Sequence, residues 1–186
     1  MPSPEALPPA VVVLVGVPAP LTVYGFNARG KGVEQHRPLR GELHFEAPLP
    51  TVPWLPWLPW QAGVGAALST VLGARDGDLQ VKTRFTTIDA GVLVGPLAGL
   101  SLGVAPALLF EHLYLDEGIN LDTVSVGVRT RARFAGSLCA GGSVLGVLEA
   151  GWERYGAPLD RGTYFNERLG GTVLVSLGAG VMVLIR

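Results

Sequence analysis

The stretch that most constrains the fold is 121–134, LDTVSVGVRTRARF, in which apolar and polar side chains alternate. One parity carries Val124, Val126, Val128, Ala132 and Phe134, and the other carries Ser125, Arg129, Arg131 and Arg133. Successive side chains of a β-strand point to opposite faces, so one face is apolar and the other holds three arginines. This pattern predicts a strand with lipid outside and a polar interior inside, because a soluble sandwich would show the reverse.

The composition also favours a membrane protein. Charged residues make up 16% of the chain and hydrophobic residues 48%, which leaves little surface charge for a soluble domain. The 26 glycines and 15 prolines suit strands and turns better than long helices. A net charge of −1 indicates no nucleic-acid partner, and the single Cys139 excludes an intrachain disulfide.

We predict one all-β domain, a closed antiparallel up-and-down transmembrane β-barrel with a polar interior filled by side chains. Residues 1–19 are predicted to be a proline-rich tail outside the barrel, although 11–17 form a short apolar run, and 20–186 to be the barrel. The predicted strands are about 20–30, 38–47, 60–73, 78–89, 92–112, 121–134, 137–153 and 168–186. Closure requires 20–30 to pair with 168–186, because a sheet edge cannot stay unpaired in lipid.

The predicted connections differ between the two barrel ends. One end carries the mostly longer and more polar connections 31–37, 74–77, 113–120 and 154–167, and the other carries 48–59, 90–91 and 135–136. Outer-membrane barrels have long outer loops and short inner turns, so the first end is expected to face outwards. The long 48–59 connection departs from this rule.

The interior is predicted to be a charge network rather than an open pore. Its expected members are Arg40, Glu42, Glu46, Lys82, Arg84, Glu111, Arg129, Arg131, Arg133, Glu149 and Glu153. Six bases and five acids nearly cancel, as a lumen poor in water requires. Arg131 is expected to lie between Ala105 and Gly141 and to pair with Glu42 or Glu46, since long cations need small neighbours in a narrow barrel.

Trp54, Trp57 and Trp60 recur at every third residue, each after a proline. Three residues per turn is the period of polyproline II, which would place the tryptophans along one edge. We favour a membrane-interface aromatic belt, and the alternative is a ligand for a proline-binding module.

A helical membrane bundle is the structural rival. Residues 90–110 and 169–185 carry no charge, and glycines recur at every fourth residue from Gly91 to Gly103. Pro96 and Pro106 interrupt the first segment, and the same glycines also satisfy a period of two. We therefore favour strands.

With its alternating strands, glycine-rich segments and loop asymmetry, the chain resembles the small eight-stranded outer-membrane β-barrel proteins of Gram-negative bacteria over about residues 20–186. The resemblance is architectural, and it implies an integral protein of the bacterial outer membrane. The chain departs from the family pattern in ending with Leu184, Ile185 and Arg186 rather than with an aromatic residue.

No nucleotide-binding, metalloprotease, zinc-binding or nucleophile-elbow motif occurs in the structural context that its chemistry requires. We therefore expect no catalytic, cofactor-binding or metal-binding residue. The position of His44 between Glu42 and Glu46 favours an interior ion pair over a metal site.

The expected role is a non-enzymatic anchor, scaffold or component of an envelope assembly. Its expected partners are the bilayer and other envelope proteins, the sequence identifies no small-molecule substrate, and the candidate partner loop contains Tyr155, Tyr164 and Phe165. The alternatives are a lipid-modifying barrel enzyme using His112 or His44, and a helical membrane protein of unknown activity.

Overall fold

The computed structural model describes residues 8–22, 39–50, 52–55, 57–69, 72–76, 79–97, 99–115, 120–138, 142–156, 159 and 172–185. Within these ranges it contains nine β-strand segments. They are β1 (Ala10–Thr22), β2 (Arg40–Pro48), β3 (Trp60–Ser69), β4 (Leu72–Asp76), β5 (Leu79–Leu97), β6 (Leu100–Leu115), β7 (Asn120–Ser137), β8 (Val144–Tyr155) and β9 (Thr172–Leu184). None of the described segments is a helix that could cross a membrane.

The segments form one closed antiparallel sheet in the order β3-β2-β1-β9-β8-β7-β6-β5-β4, with β3 also paired to β5. β3 and β4 occupy one position in the barrel, because β5 pairs with β4 through Leu79–Thr83 and with β3 through Thr86–Val94. The nine segments therefore make an eight-stranded barrel. The predicted fold class is confirmed. Of the glycines that suggested a helical bundle, Gly91 and Gly95 lie in β5, Gly99 in the turn that follows and Gly103 in β6.

The first strand lies earlier in the chain than predicted. β1 begins at Ala10 and pairs with β9 along its whole length, so the predicted tail at 1–19 is wrong from Ala10 onwards. The predicted pairing of 20–30 with 168–186 is found over Pro20–Thr22, and 23–30 lie outside the described residues. Pro18 and Pro20 suggested a break in the ladder. However, β1 runs through both prolines, which are opposite Ser176 and Leu174 of β9.

The predicted turns at 90–91 and 135–136 are also wrong, because β5 continues to Leu97 and β7 to Ser137. These extensions shift the strand register. Arg131 lies opposite Gly103 and Gly151, not between Ala105 and Gly141, although its neighbours are small as predicted.

The two barrel ends differ in sequence. We call the end reached by Thr22, Leu115 and Tyr155 the loop end, and the opposite end, which holds Trp54 and Trp57, the tryptophan end.

In the segment that carries the tryptophans, Leu55 N donates to Val52 O (2.9 Å) and Leu58 N donates to Leu55 O (3.1 Å). These are successive turns, so the polyproline II prediction is wrong, because that helix has no internal hydrogen bonds.

The outer surface is apolar across the middle of the barrel. On β7 the outward positions from Val124 to Phe134 carry no charge. They span about 33 Å of strand at about 3.3 Å per residue, or about 25 Å once the strand tilt is included, which matches the apolar band of membrane barrels. Trp54 and Trp57 are 78% and 57% exposed at the tryptophan end, and Trp60 is half-buried at the start of β3.

Candidate functional site in the lumen

The middle of the lumen is filled by long charged side chains from β2, β5, β7 and β8. Strands β3, β6 and β9 lie between or beside these strands and contribute mostly small inward residues at this depth. The small positions include Gly63, Gly65, Gly103, Ala105, Ser176 and Gly178. An eight-stranded barrel is barely wide enough for its own side chains, so small residues on these strands leave the volume that the long ones occupy.

Arg129 is at the centre of the network. Its Nη1 lies 2.9 Å from Asp89 Oδ2, its Nη2 lies 3.2 Å from Glu149 Oε1, and its Nε lies 3.4 Å from Glu153 Oε1. Its Nη2 also donates to Glu42. One buried guanidinium therefore meets four carboxylates from three other strands.

Arg133 and Arg40 extend the network towards the two ends. Arg133 pairs with Glu46 (Nη1–Oε1 2.6 Å) and with Glu149 (Nε–Oε2 2.8 Å). Arg40 pairs with Glu153 (Nη2–Oε1 2.7 Å) and with Glu42 (Nε–Oε1 3.1 Å). Each of these cations therefore joins two acids.

Arg131 makes different contacts from those predicted. It donates from Nη1 to His44 Nδ1 (2.9 Å), and its Nη2 lies 3.3 Å from Asp89 Oδ1, whereas Glu42 and Glu46 pair with other arginines. His44 Nε2 lies 3.1 Å from Glu42 Oε2. Because a guanidinium can only donate, Nδ1 of His44 accepts from Arg131 and Nε2 donates to Glu42, so His44 relays a hydrogen bond between an arginine and a glutamate.

Apolar side chains close the charged layer at both ends. Towards the tryptophan end lies a cluster of Ala10, Val12, Leu14, Val147, Met182 and Leu184. Towards the loop end lies a cluster of Phe85, Ala107, Leu109, Tyr155 and Leu174. The charges are thus separated from water above and below, which makes their mutual pairing necessary.

The other predicted network members lie in different places. Glu111 is buried in β6 at 1% exposure. Arg84 is exposed on the outside of β5, so its predicted inward direction is wrong, and the side chain of Lys82 lies outside the described residues. Phe85 turns inwards instead and fills the loop-end cluster. Near a strand end the outer face leaves the hydrocarbon, so a polar side chain no longer marks the inside.

The predicted partner loop is corrected at one residue. Tyr155 belongs to β8, is buried, and donates its hydroxyl to Glu153 Oε2 at 2.7 Å. Tyr164 and Phe165 lie outside the described residues.

Two members of the network were missed, Asp89 and Tyr155. Asp89 is the last residue of the predicted strand 78–89, beside the turn predicted at 90–91, but it has the same parity as the buried Thr87 and Leu93 of the longer strand β5. His44, predicted to lie inside between Glu42 and Glu46, is buried in the lumen and bonds to Glu42.

Glu42, His44 and Glu149 offer ligand atoms within 4.8 Å of one another, a spacing that suits a metal ion. However, Nη2 of Arg129 bonds to both Glu42 and Glu149. The guanidinium supplies the positive charge that a metal ion would bring, so this set is part of the ion-pair network.

No family model matches the sequence, and no curated protein sequence matches it. Among solved structures, the chain is similar to the attachment invasion locus protein Ail of Yersinia pestis in complex with the heparin analogue sucrose octasulfate. That likeness has 10% identity and a TM-score of 0.54, and covers 96% of this chain and 99% of that chain. Neisserial surface protein A is similar at 9% identity and a TM-score of 0.55, over 95% of this chain and 97% of that chain. Both are small eight-stranded outer-membrane barrels, which confirms the architectural resemblance.

Proposed function

We propose that the chain is an integral, non-enzymatic barrel of the bacterial outer membrane that serves as an anchor or scaffold in a larger envelope assembly. The observation that carries the proposal is the filled lumen. Arg129 and its four carboxylates occupy its middle, and apolar clusters close both ends of the described barrel. Such a lumen supports neither ion conduction nor the entry of a substrate.

The outer surface supports membrane insertion. Side chains such as Leu102, Val104 and Val126 are 56%, 48% and 48% exposed, and a large apolar surface of this kind needs lipid. The exposed Trp54 and Trp57 suit an interfacial aromatic belt at the tryptophan end. The loop end then faces outwards, and the segment 154–167 is the proposed surface for an envelope partner.

Planar-bilayer recordings test the filled lumen. The folded protein, checked by heat-modifiable gel migration and by a strand signal in circular dichroism, should give no stable single-channel current, because paired side chains fill the path. A porin in the same bilayer serves as the positive control. Reproducible current steps from the folded chain would overturn the proposal.

Cross-linking in cell envelopes tests the scaffold role. Removal of 157–168 should abolish cross-linked complexes while the barrel still folds, because the proposed binding surface is lost. Removal of 52–58 at the tryptophan end is the matched control and should leave the complexes unchanged. If only the control deletion abolishes them, the binding surface lies at the other end.

One observation favours a lipid-modifying enzyme as the second candidate. His112 Nδ1 lies 2.5 Å from Asp122 Oδ1 on the outside of the barrel, as in sites where a carboxylate orients a catalytic histidine. Among the described residues no serine or threonine hydroxyl bonds to His112, and His44 is 0% exposed in the lumen. Hydrolase and acyltransferase assays on phospholipid and lipid A, with His112→Ala as the comparison, separate the two functions.

A further inference from the structure

Three ionisable side chains lie side by side on the outside of the barrel near the loop end. Arg84 of β5 is opposite His112 of β6, and His112 is opposite Asp122 of β7. Their neighbours of the other parity are buried in the lumen, namely Phe85, Glu111 and Thr123. The three side chains therefore point away from the lumen, and we call them the rim row.

The rim row lies at the boundary of the apolar outer surface that is nearer to the loop end. Four residues further along each strand towards the tryptophan end, the outward side chains are apolar. They are Ile88, Leu108 and Val126, which are 48%, 39% and 48% exposed. An outward arginine is strongly destabilising at the bilayer midplane and nearly neutral near an interface. Outward charged side chains in the described part of the chain occur only towards the loop end. The row thus lies at the depth of lipid headgroups.

The chemistry of the rim row suits a phosphate group. His112 Nδ1 lies 2.5 Å from Asp122 Oδ1, and this contact orients the ring. With a proton on Nε2, that nitrogen can donate a hydrogen bond to a ligand. Arg84 is exposed, and no described carboxylate lies within ion-pair distance of it. Directly opposed residues of an antiparallel pair have Cβ atoms about 4.5–5.5 Å apart, so one phosphate can accept hydrogen bonds from both.

We propose that Arg84 and His112 bind the phosphate of an anionic lipid in the leaflet at the loop end, with Asp122 as a positioning residue for His112. The proposal rests on the membrane insertion inferred above. A planar guanidinium donates two parallel hydrogen bonds to a phosphate, which a lysine cannot do. The acyl chains of the same lipid would lie over Ile88, Leu108 and Val126. This apolar continuation selects a lipid over a free phosphate ion.

Native mass spectrometry of the full chain, released from phosphatidylcholine nanodiscs that contain phosphatidic acid, tests the site. The wild-type protein should retain phosphatidic acid in preference to phosphatidylcholine. Arg84→Gln should weaken that retention about tenfold, as expected for the loss of charge-assisted hydrogen bonds. Arg84→Lys should fall between the two, because it keeps the charge and loses the planar fork.

The matched control is Arg154→Gln, another exposed outward arginine, which is opposite Val128 and Val173 rather than a histidine. It should change retention by less than about twofold, as for an isolated surface charge. Equal losses in the Arg84→Gln and Arg154→Gln proteins would overturn the site. So would displacement of the lipid from the wild-type protein by inorganic phosphate at the same concentration.

Failure of this site and failure of the proposed function give different results. If the wild-type chain does not insert, as judged by heat-modifiable migration, the membrane proposal itself fails. If it inserts but retains both lipids equally, only the phosphate site fails. If Arg84→Gln prevents folding, Arg84→Lys and His112→Gln carry the test, and wild-type retention in both overturns it.

Discussion

The arginines inside the barrel and those on its outer rim obey different rules. Arg129 is 1% exposed and meets four carboxylates, whereas Arg84 is exposed and has no described carboxylate within ion-pair distance. A guanidinium removed from water must be paired, while one at headgroup depth keeps water and lipid phosphate as partners. The position of an arginine in the barrel, rather than its chemistry alone, therefore decides whether it stabilises the fold or is free for a ligand.

The surroundings of the two groups differ in the same way. Arg131 lies between Gly103 and Gly151, and a Cβ added at Gly103 would come within 3.0 Å of Arg131 Cγ. Outside, Arg154 is exposed and is opposite Val128 and Val173 in the register. The lumen therefore restricts volume as well as charge, and both restrictions can be tested separately.

The largest effect is expected for Arg129→Ala. It leaves four buried carboxylates without this partner, so the free energy of unfolding should fall by about 3–5 kcal/mol, as for a broken buried ion pair. Arg154→Ala, the rim comparison, should lower it by less than about 1 kcal/mol. Urea unfolding in lipid vesicles measures both. Equal losses would mean that the lumen arginines are solvated and that the contrast with the rim is false.

The next effect concerns a charge placed on the lipid-facing surface. Val126→Arg introduces a guanidinium in the middle of the apolar belt and should lower the free energy of unfolding by about 2–4 kcal/mol. Leu138→Arg, at the exposed tryptophan end, should lower it by about 0–1 kcal/mol. The same vesicle assay compares the two proteins. A well-tolerated arginine at 126 would place that face in water.

The smallest of the three effects concerns volume. A Cβ added at Gly65 would overlap the ring of His44, so Gly65→Ala should lower the free energy of unfolding by about 1–3 kcal/mol, the usual range for overpacking. Gly41→Ala on β2 is the control, because nothing lies within 4 Å of its added Cβ. Thermal unfolding followed by circular dichroism measures both. A harmless Gly65→Ala would show that His44 moves freely in the lumen.

The sequence predicted the charged layer best where strands cross the hydrocarbon. Glu42, Glu46, Arg129 and Arg133 are all buried at positions that a two-residue period assigns to one face. It failed near strand ends, where Arg84 lies outside and Tyr155 inside. There the outer face meets headgroups and the inner face meets an apolar cluster, so polarity no longer separates the two sides.

By itself, the sequence determined that the chain forms strands with one apolar and one polar face, because every side chain in the membrane meets either lipid or the lumen. Only the tertiary structure decided which strand closes the barrel, how far β5 and β7 extend, and which acid meets each arginine. Arg129 pairs with Asp89 and Glu42 across 40 and 87 residues of chain. Those pairings depend on strand register around the whole barrel, and a shift of two residues preserves every inward direction while it exchanges every partner.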